Sequence, residues 1–328
     1  MSTATQFETN KIERTAPAQK KSSVSKVITD VAPDQLTRVP EMKSFKFSHS
    51  LGNFPALSIP SVRKLTLRLL EEKRFDQVHY RKGGPNKTKN SDADSVNDVL
   101  ETIDSLETAG AWLRLTRVDE INEEFGEISE IFYDDLERLY QRDIRSKVMK
   151  TFVTLFISSP NEITPYHIDH SWNFLLQIGG RKTVHLFDAD DPRVVRPQDR
   201  EGFYMKQPSI TQNHSVPGIP YDIAPGEAVH HPVHAPHWVQ NGPEVSVSLS
   251  FGLCLHSMND DAKVHQVNFM LRKMGFNPKA PRQSKWRDSV KKGAINLISD
   301  RKQNSFDDVV FSGVRRLHRV MKFARLTK

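Results

Sequence analysis

Two hydrophobic periods divide this chain. Up to about residue 146 the apolar positions fall mostly at helical spacing. Ser58-Ile59-Pro60-Ser61 reads as a helix start, followed by Val62, Leu65, Leu67 and Leu70. Residues 92–108 set Val96, Leu100, Ile103 and Leu106 on one side and acids on the other. Residues 119–146 continue in helix, anchored by Ile121, Phe125, Ile128, Ile131, Phe132, Leu136 and Leu139. Then the period shortens. Residues 151–157 (TFVTLFI) are β-branched and aromatic and end at Ser158-Ser159-Pro160-Asn161, a strand signal. Trp172, Phe174, Leu176 and Ile178 alternate with Asn173, Leu175 and Gln177, and Gly179-Gly180 leads into residues 182–187 (KTVHLF). That pair reads as a β-hairpin. A second strand pair brackets Pro232 to Pro243. Residues 245–251 (VSVSLSF) alternate strictly, with three serines on one face. In a one-sided sheet those serines meet water; in a small barrel they line a polar cavity.

After Ser257 helical spacing returns in Val264, Val267, Met270, Leu271 and Met274, until Pro278 and Pro281 break it. Two basic helices are expected near 286–299 and 306–326. Residues 1–42 are rich in Ser, Thr, Lys, Pro and Ala, and are expected to be disordered at least in part. Phe45, Phe47, Leu51, Phe54 and Leu57 open the apolar region, and residues 83–86 (GGPN) form a loop. The expected division is a disordered segment 1–42, a domain 43–256 whose β-core spans about 151–256, and a basic helical extension 257–328.

Composition narrows the class. Hydrophobic residues make up 37% of the 328 and charged residues 27%, ordinary values for a globular protein. The single cysteine, Cys254, excludes an intrachain disulfide framework and a cysteine-built zinc cluster. No apolar run reaches membrane-spanning length and no apolar core suggests a secretory signal, so a cytoplasmic location and no membrane partner are expected. Residues 271–328 hold sixteen Lys/Arg against four Asp/Glu; the net charge of +7 therefore leaves −5 for the remainder. Such a tail suits nucleic acid, an acidic protein or a membrane surface, and equally a solvated helical face.

The candidate chemistry lies in Thr164-Pro165-Tyr166-His167-Ile168-Asp169. His167 and Asp169 are two apart, and on a strand both would face one side and reach one ion. Eight of the 13 histidines fall between 167 and 237, so a third ligand has several candidates: His230, His231, His234 and His237. Two imidazoles and one carboxylate with open positions suit a mononuclear non-heme Fe(II) centre.

The stretch TPYHIDHSWNFLLQIGGRKTVHLF resembles the core of the jumonji-C, cupin-like Fe(II)/2-oxoglutarate oxygenases. It is most similar to bacterial cupin-like proteins and to asparaginyl hydroxylases of the factor-inhibiting-HIF type. The resemblance covers roughly residues 152–252. It implies a mixed α and β fold: a double-stranded β-helix, or jelly roll, with flanking N- and C-terminal helices. It assigns His167, Asp169 and His237 as iron ligands, the last through Pro232-x-x-x-Pro236-His237-Trp238. It places Thr164 and Lys182 on the far carboxylate of 2-oxoglutarate and Asn173 beside the co-substrate or metal. The chain departs from the family at two points: Trp112 falls roughly where a family tyrosine also touches 2-oxoglutarate, and the family's asparagine on the last core strand has no counterpart in VSVSLSF, where Ser250 is the nearest polar residue. The implied activity is hydroxylation of a protein or peptide side chain, or of an amino-acid-like metabolite, with release of succinate. A cupin-fold binding or regulatory protein without turnover, docking a partner or nucleic acid through the basic tail, is the other reading. Similar hydroxylases dimerise through helices after the barrel, which implies a homodimer here. His170 and the remaining loop histidines are left without a role, His185 reads as a satisfied sheet residue, Trp172 and Trp238 as packing residues, and Cys254 as a small buried apolar group.

Overall fold

The computed structural model describes residues 24–31, 43–82, 88–90, 92, 95–207, 210–298 and positions 310, 311, 314 and 317. The loop expected at 83–86 and most of the helix expected at 306–326 lie outside them. The core is eight strands: β6 (Val148–Ser158), β7 (Ile163–His167), β8 (Trp172–Gly179), β9 (Lys182–Leu186), β10 (Ile219–Ile223), β11 (Glu227–His231), β12 (His237–Asn241) and β13 (Ser246–Leu255). They form two facing antiparallel sheets. One has the order β10-β9-β12-β7; the other carries β11-β8-β13-β6 at its centre. Apart from the β9 to β10 connection, the chain changes sheet at each step. This alternation is the double-stranded β-helix, and the expected fold class holds.

The larger sheet is extended by β1 (Ile28–Asp30) and β2 (Phe45–His49) beyond β11. On its other side stand β5 (Ala111–Thr116), β3 (Val78–Lys82) and β4 (Thr88–Asn90) beyond β6. Helices α1 (Ile59–Glu71), α2 (Val96–Asp104) and α3 (Glu123–Tyr140) precede the core, and α4 (Pro197–Phe203) interrupts it. Helices α5 (His256–Lys273) and α6 (Lys285–Ile298) follow. Asn122 caps α3 by accepting from the Glu124 amide at 2.9 Å. The buried face of α3 meets the outer face of the large sheet, where Phe132 stacks on Phe251 with ring centroids 4.1 Å apart. Among the described residues no helix is long and apolar enough to cross a membrane.

Three expectations are corrected. Strands β8 and β9 are not a hairpin: β8 pairs with β11 and β13, while β9 pairs with β10 and β12. Both faces of β8 are buried, so its alternation carried no record of its partner. Gly179-Gly180 takes the chain between sheets. Gly180 has φ +67°, and a Cβ there would meet the Val245 carbonyl oxygen at 2.4 Å. The stretch from Pro232 to Pro243, expected between two paired strands, itself contains β12. Thirdly, residues 24–31 fall in the segment expected to be disordered, yet they are tied down. Asp135, buried on α3, accepts the amides of Val27 at 2.7 Å and Ile28 at 2.8 Å.

The serines of β13 face inward. Ser248 donates to Gln177 Oε1 at 2.8 Å, and Gln177 Nε2 donates to Ser246 at 3.1 Å. Val247, Leu249 and Phe251 take the opposite face, against the helices. Between the sheets lie Leu175, Val184, Leu186, Ile223, Val229, Ala235 and Val239. Two members of this apolar cluster, Leu175 and Val239, also line the cavity described below. In the C-terminal extension, Arg272 on α5 makes a two-pronged pair with buried Glu201 on α4 at 2.8 and 2.9 Å. Val314 and Leu317 pack with Met205 and Ile295 of the same chain.

Candidate metal centre

Strands β7 and β12 pair antiparallel with His167 directly opposite His237. Opposed residues project to one face, so the two imidazoles meet there, ring centroids 4.2 Å apart. Asp169 does not share the strand with His167, as its spacing suggested. Strand β7 ends at His167 and Asp169 sits in the loop beyond it. The carboxylate is aimed instead by Asn173 at the start of β8, whose Nδ2 donates to Asp169 Oδ2 at 2.6 Å. Ser171 in turn donates to Asn173 Oδ1 at 3.2 Å, which fixes which way the amide faces.

Each histidine is oriented by its own backbone. His167 Nδ1 lies 2.8 Å from the Pro165 carbonyl and His237 Nδ1 lies 3.0 Å from that of Ala235. A carbonyl only accepts, so both Nδ1 atoms carry the hydrogen and both Nε2 atoms offer a lone pair. These lone pairs converge on the carboxylate: His167 Nε2 is 3.9 Å from Asp169 Oδ1 and His237 Nε2 is 3.8 Å from Asp169 Oδ2. All three ligand atoms lie within 4.8 Å of one another. Donors about 2.1 Å from a shared ion at right angles stand about 3.0 Å apart, so closure on an ion asks each pair to contract by at most about 1.8 Å. Burial pulls the His237 pKa down to about 4, so the ring is neutral and free to ligate. An N,N,O set with one exposed side fits a mononuclear divalent metal.

The cavity in front of these groups has a volume of about 370 Å³. The structure brings every sequence-expected site residue to it: Thr164, His167, Asp169, Asn173, Lys182 and His237. Lys182 begins β9, in register with Asn241 and Ile223, and is 7% exposed. Burial lowers its pKa from 10.5 to about 7, and no acidic side chain offsets that effect. Trp112 on β5 and Ser250 on β13 also reach this cavity.

Sequence reasoning missed several neighbours. Arg81 on β3, 2% exposed, pairs with Glu162 at the cavity wall and lies 5.8 Å from the Trp112 ring centre. Its run, VHYRK, is too short and too charged to announce a sheet next to the barrel. His231, one of the candidate third ligands and otherwise read as a loop or rim residue, is a buried member of the cavity lining. The other histidines sit elsewhere. His230 stacks on Phe174 at 4.4 Å on the outer face of the large sheet, and His185 on Trp238 at 3.8 Å. His170 and His234 flank the Tyr204 hydroxyl at 2.6 and 2.5 Å, tying the end of α4 to the barrel. Cys254 lies 3.2 Å from His170, and burial pushes its thiol up to about 12.

A rolled pair of antiparallel sheets with converging imidazoles and a carboxylate at its open end defines a cupin. The chain belongs to the Cupin-like domain family, which it matches over residues 2–285. Among solved structures, the ribosomal oxygenase YcfD from Escherichia coli is 16% identical; the match covers 86% of this chain and 69% of that one, with a TM-score of 0.48. The complex of YcfD with cobalt and 2-oxoglutarate is 15% identical over 86% and 69% of the two chains, with a TM-score of 0.45. A cupin superfamily protein from Desulfitobacterium hafniense is 13% identical over 32% and 69%, with a TM-score of 0.22. No curated protein matches the chain.

Proposed function

We propose that this protein is an Fe(II)/2-oxoglutarate-dependent dioxygenase that hydroxylates a side chain of a protein or peptide. One observation carries the reading: the two Nε2 lone pairs and the Asp169 carboxylate converge in the same cavity that holds a buried lysine without an acidic partner. An uncompensated ammonium in an apolar wall is costly unless an anion joins it.

His167, Asp169 and His237 would hold the metal, and bound Fe(II) would supply the activation of dioxygen coupled to oxidative decarboxylation of 2-oxoglutarate to succinate and carbon dioxide. The remaining work belongs to the protein. Lys182 receives the far carboxylate as a charge-assisted partner and Thr164 adds a hydroxyl donor. Asn173 keeps Asp169 facing the imidazoles, while the Pro165 and Ala235 carbonyls accept from Nδ1 and so set the tautomer that presents each Nε2. Leu175 and Val239 would give the cavity an apolar wall that limits water there. A peptide substrate is favoured by the mouth of the cavity. There β7 is the outermost strand of its sheet, with Thr164 and Pro165 exposed and Ile163 47% exposed. An extended chain laid along that edge would bring a side chain toward the metal ligands.

The test is succinate release from 2-oxoglutarate by iron-loaded protein in air, with a peptide extract as substrate source. Release that depends on iron and is lost in His167→Ala supports the reading; release unchanged by that substitution overturns it.

A further inference from the structure

One buried group in the cavity has no role in the account so far. His231 ends β11, directly opposite Asn173 on β8. Opposed residues share a face, and Asn173 reaches inward to Asp169, so His231 also projects into the barrel. Its neighbour His230 takes the other face and stacks on Phe174. The His231 ring is 4% exposed and its centroid lies 4.6 Å from that of His237. Among the described residues, neither Nδ1 nor Nε2 has a hydrogen-bond partner. His265 leaves only Nδ1 unpaired, and other buried histidines are served: His49 by the Gln177 carbonyl and the Leu51 amide, His170 and His234 by Tyr204, and His237 by Ala235. A buried polar group left unpaired costs as much as a lost hydrogen bond, and such exceptions call for an occupant.

The surroundings decide what that occupant is. An imidazole carries at least one N–H in either protonation state, so at least one ring nitrogen of His231 is a donor. Among the described residues no acceptor is bonded to it. Leu175 and Val229 are apolar, Lys182 only donates, and the Asn173 oxygen already accepts from Ser171. His231 lines the same cavity as the metal-site imidazoles and Lys182, with its ring against that of His237.

We propose that His231 donates a hydrogen bond to a carboxylate oxygen of the bound 2-oxo acid, acting with Lys182 as a further co-substrate-binding residue. This rests on the dioxygenase reading above. It also explains an otherwise unfavourable imidazole: the group is unsatisfied until the dicarboxylate arrives.

The experiment is anaerobic titration calorimetry of the Fe(II)-loaded protein with 2-oxoglutarate, alongside thermal unfolding of the metal-free protein. His231→Leu weakens 2-oxoglutarate about 10- to 100-fold, the value of one hydrogen bond to a charged acceptor, and leaves Fe(II) affinity within about threefold. His231→Gln, which restores an N–H, recovers most of the loss. The metal-free His231→Leu protein melts higher than wild type by about 2–4 °C, since an unpaired polar group has been removed. Unchanged 2-oxoglutarate affinity in His231→Leu overturns the proposal. So does a metal-free variant that melts lower or fails to fold, which would make the imidazole a structural partner. Wild type that takes up Fe(II) but not 2-oxoglutarate overturns the dioxygenase reading together with this one; equal affinity in both proteins removes only the role of His231.

Discussion

Lys182→Met keeps the bulk of a nearly enclosed side chain and deletes its charge. Burial lowers the ammonium pKa from 10.5 to about 7. At about 1.4 kcal/mol for each tenfold change in proton affinity, holding that charge inside the fold costs about 4 kcal/mol at neutral pH. Water entry and side-chain relaxation reduce this to about 2–4 kcal/mol. The sign is set by the direction of the shift. The folded pKa lies below the unfolded one, so between pH 7 and 10.5 the unfolded chain binds the extra proton, and this group adds stability as pH rises through that window. Urea unfolding of the metal-free protein at about pH 6.5 and about pH 10 reads the effect. Lys182→Met should exceed wild type by about 2–4 kcal/mol at the lower pH, with the gap falling below about 1 kcal/mol at the higher. In the Fe(II)-loaded protein the same substitution should weaken 2-oxoglutarate by about 100-fold or more. A variant less stable than wild type at the lower pH would refute the reasoning, because the lysine would then have a stabilising partner in the fold.

Other consequences are as concrete. Asn173→Ala frees Asp169 to turn away and should weaken Fe(II) or Co(II) binding about 10- to 100-fold by equilibrium dialysis, with little change in melting temperature. Phe132→Ala removes the ring stacked on Phe251 between α3 and the large sheet and should cost about 3–5 kcal/mol in urea unfolding. Asp135→Ala leaves the Val27 and Ile28 amides without their carboxylate and should speed proteolytic cleavage in residues 24–31 while the barrel stays folded.

How far the sequence could be read follows from what each residue faces. The period-two runs at 151–157, 172–178 and 245–251 announced strands because aromatic and β-branched residues suit a pleated surface. They could not announce partners. Strand β8 is buried on both faces, and a glycine pair serves a sheet crossing as readily as a hairpin. The metal ligands were legible as residue types. Their geometry was only half so, since Asp169 is aimed by Asn173 from a loop rather than by strand period. Strand β7, with Pro165 and three exposed positions, has no hydrophobic signature at all. His230 and His231 are adjacent and chemically identical; only the register of β11 against β8 turns one outward to Phe174 and the other into the cavity. Residues 24–31 look unstructured by composition, and the group that anchors them lies more than 100 residues away in sequence.

Metal stoichiometry tests the central claim most directly. Equilibrium dialysis of the metal-free protein against Fe(II) without oxygen, or against Co(II), should give one ion bound per chain. His167→Ala, Asp169→Ala and His237→Ala should each abolish it, while His234→Ala retains it. Binding that survives all three substitutions, or no binding by wild type, would contradict the account.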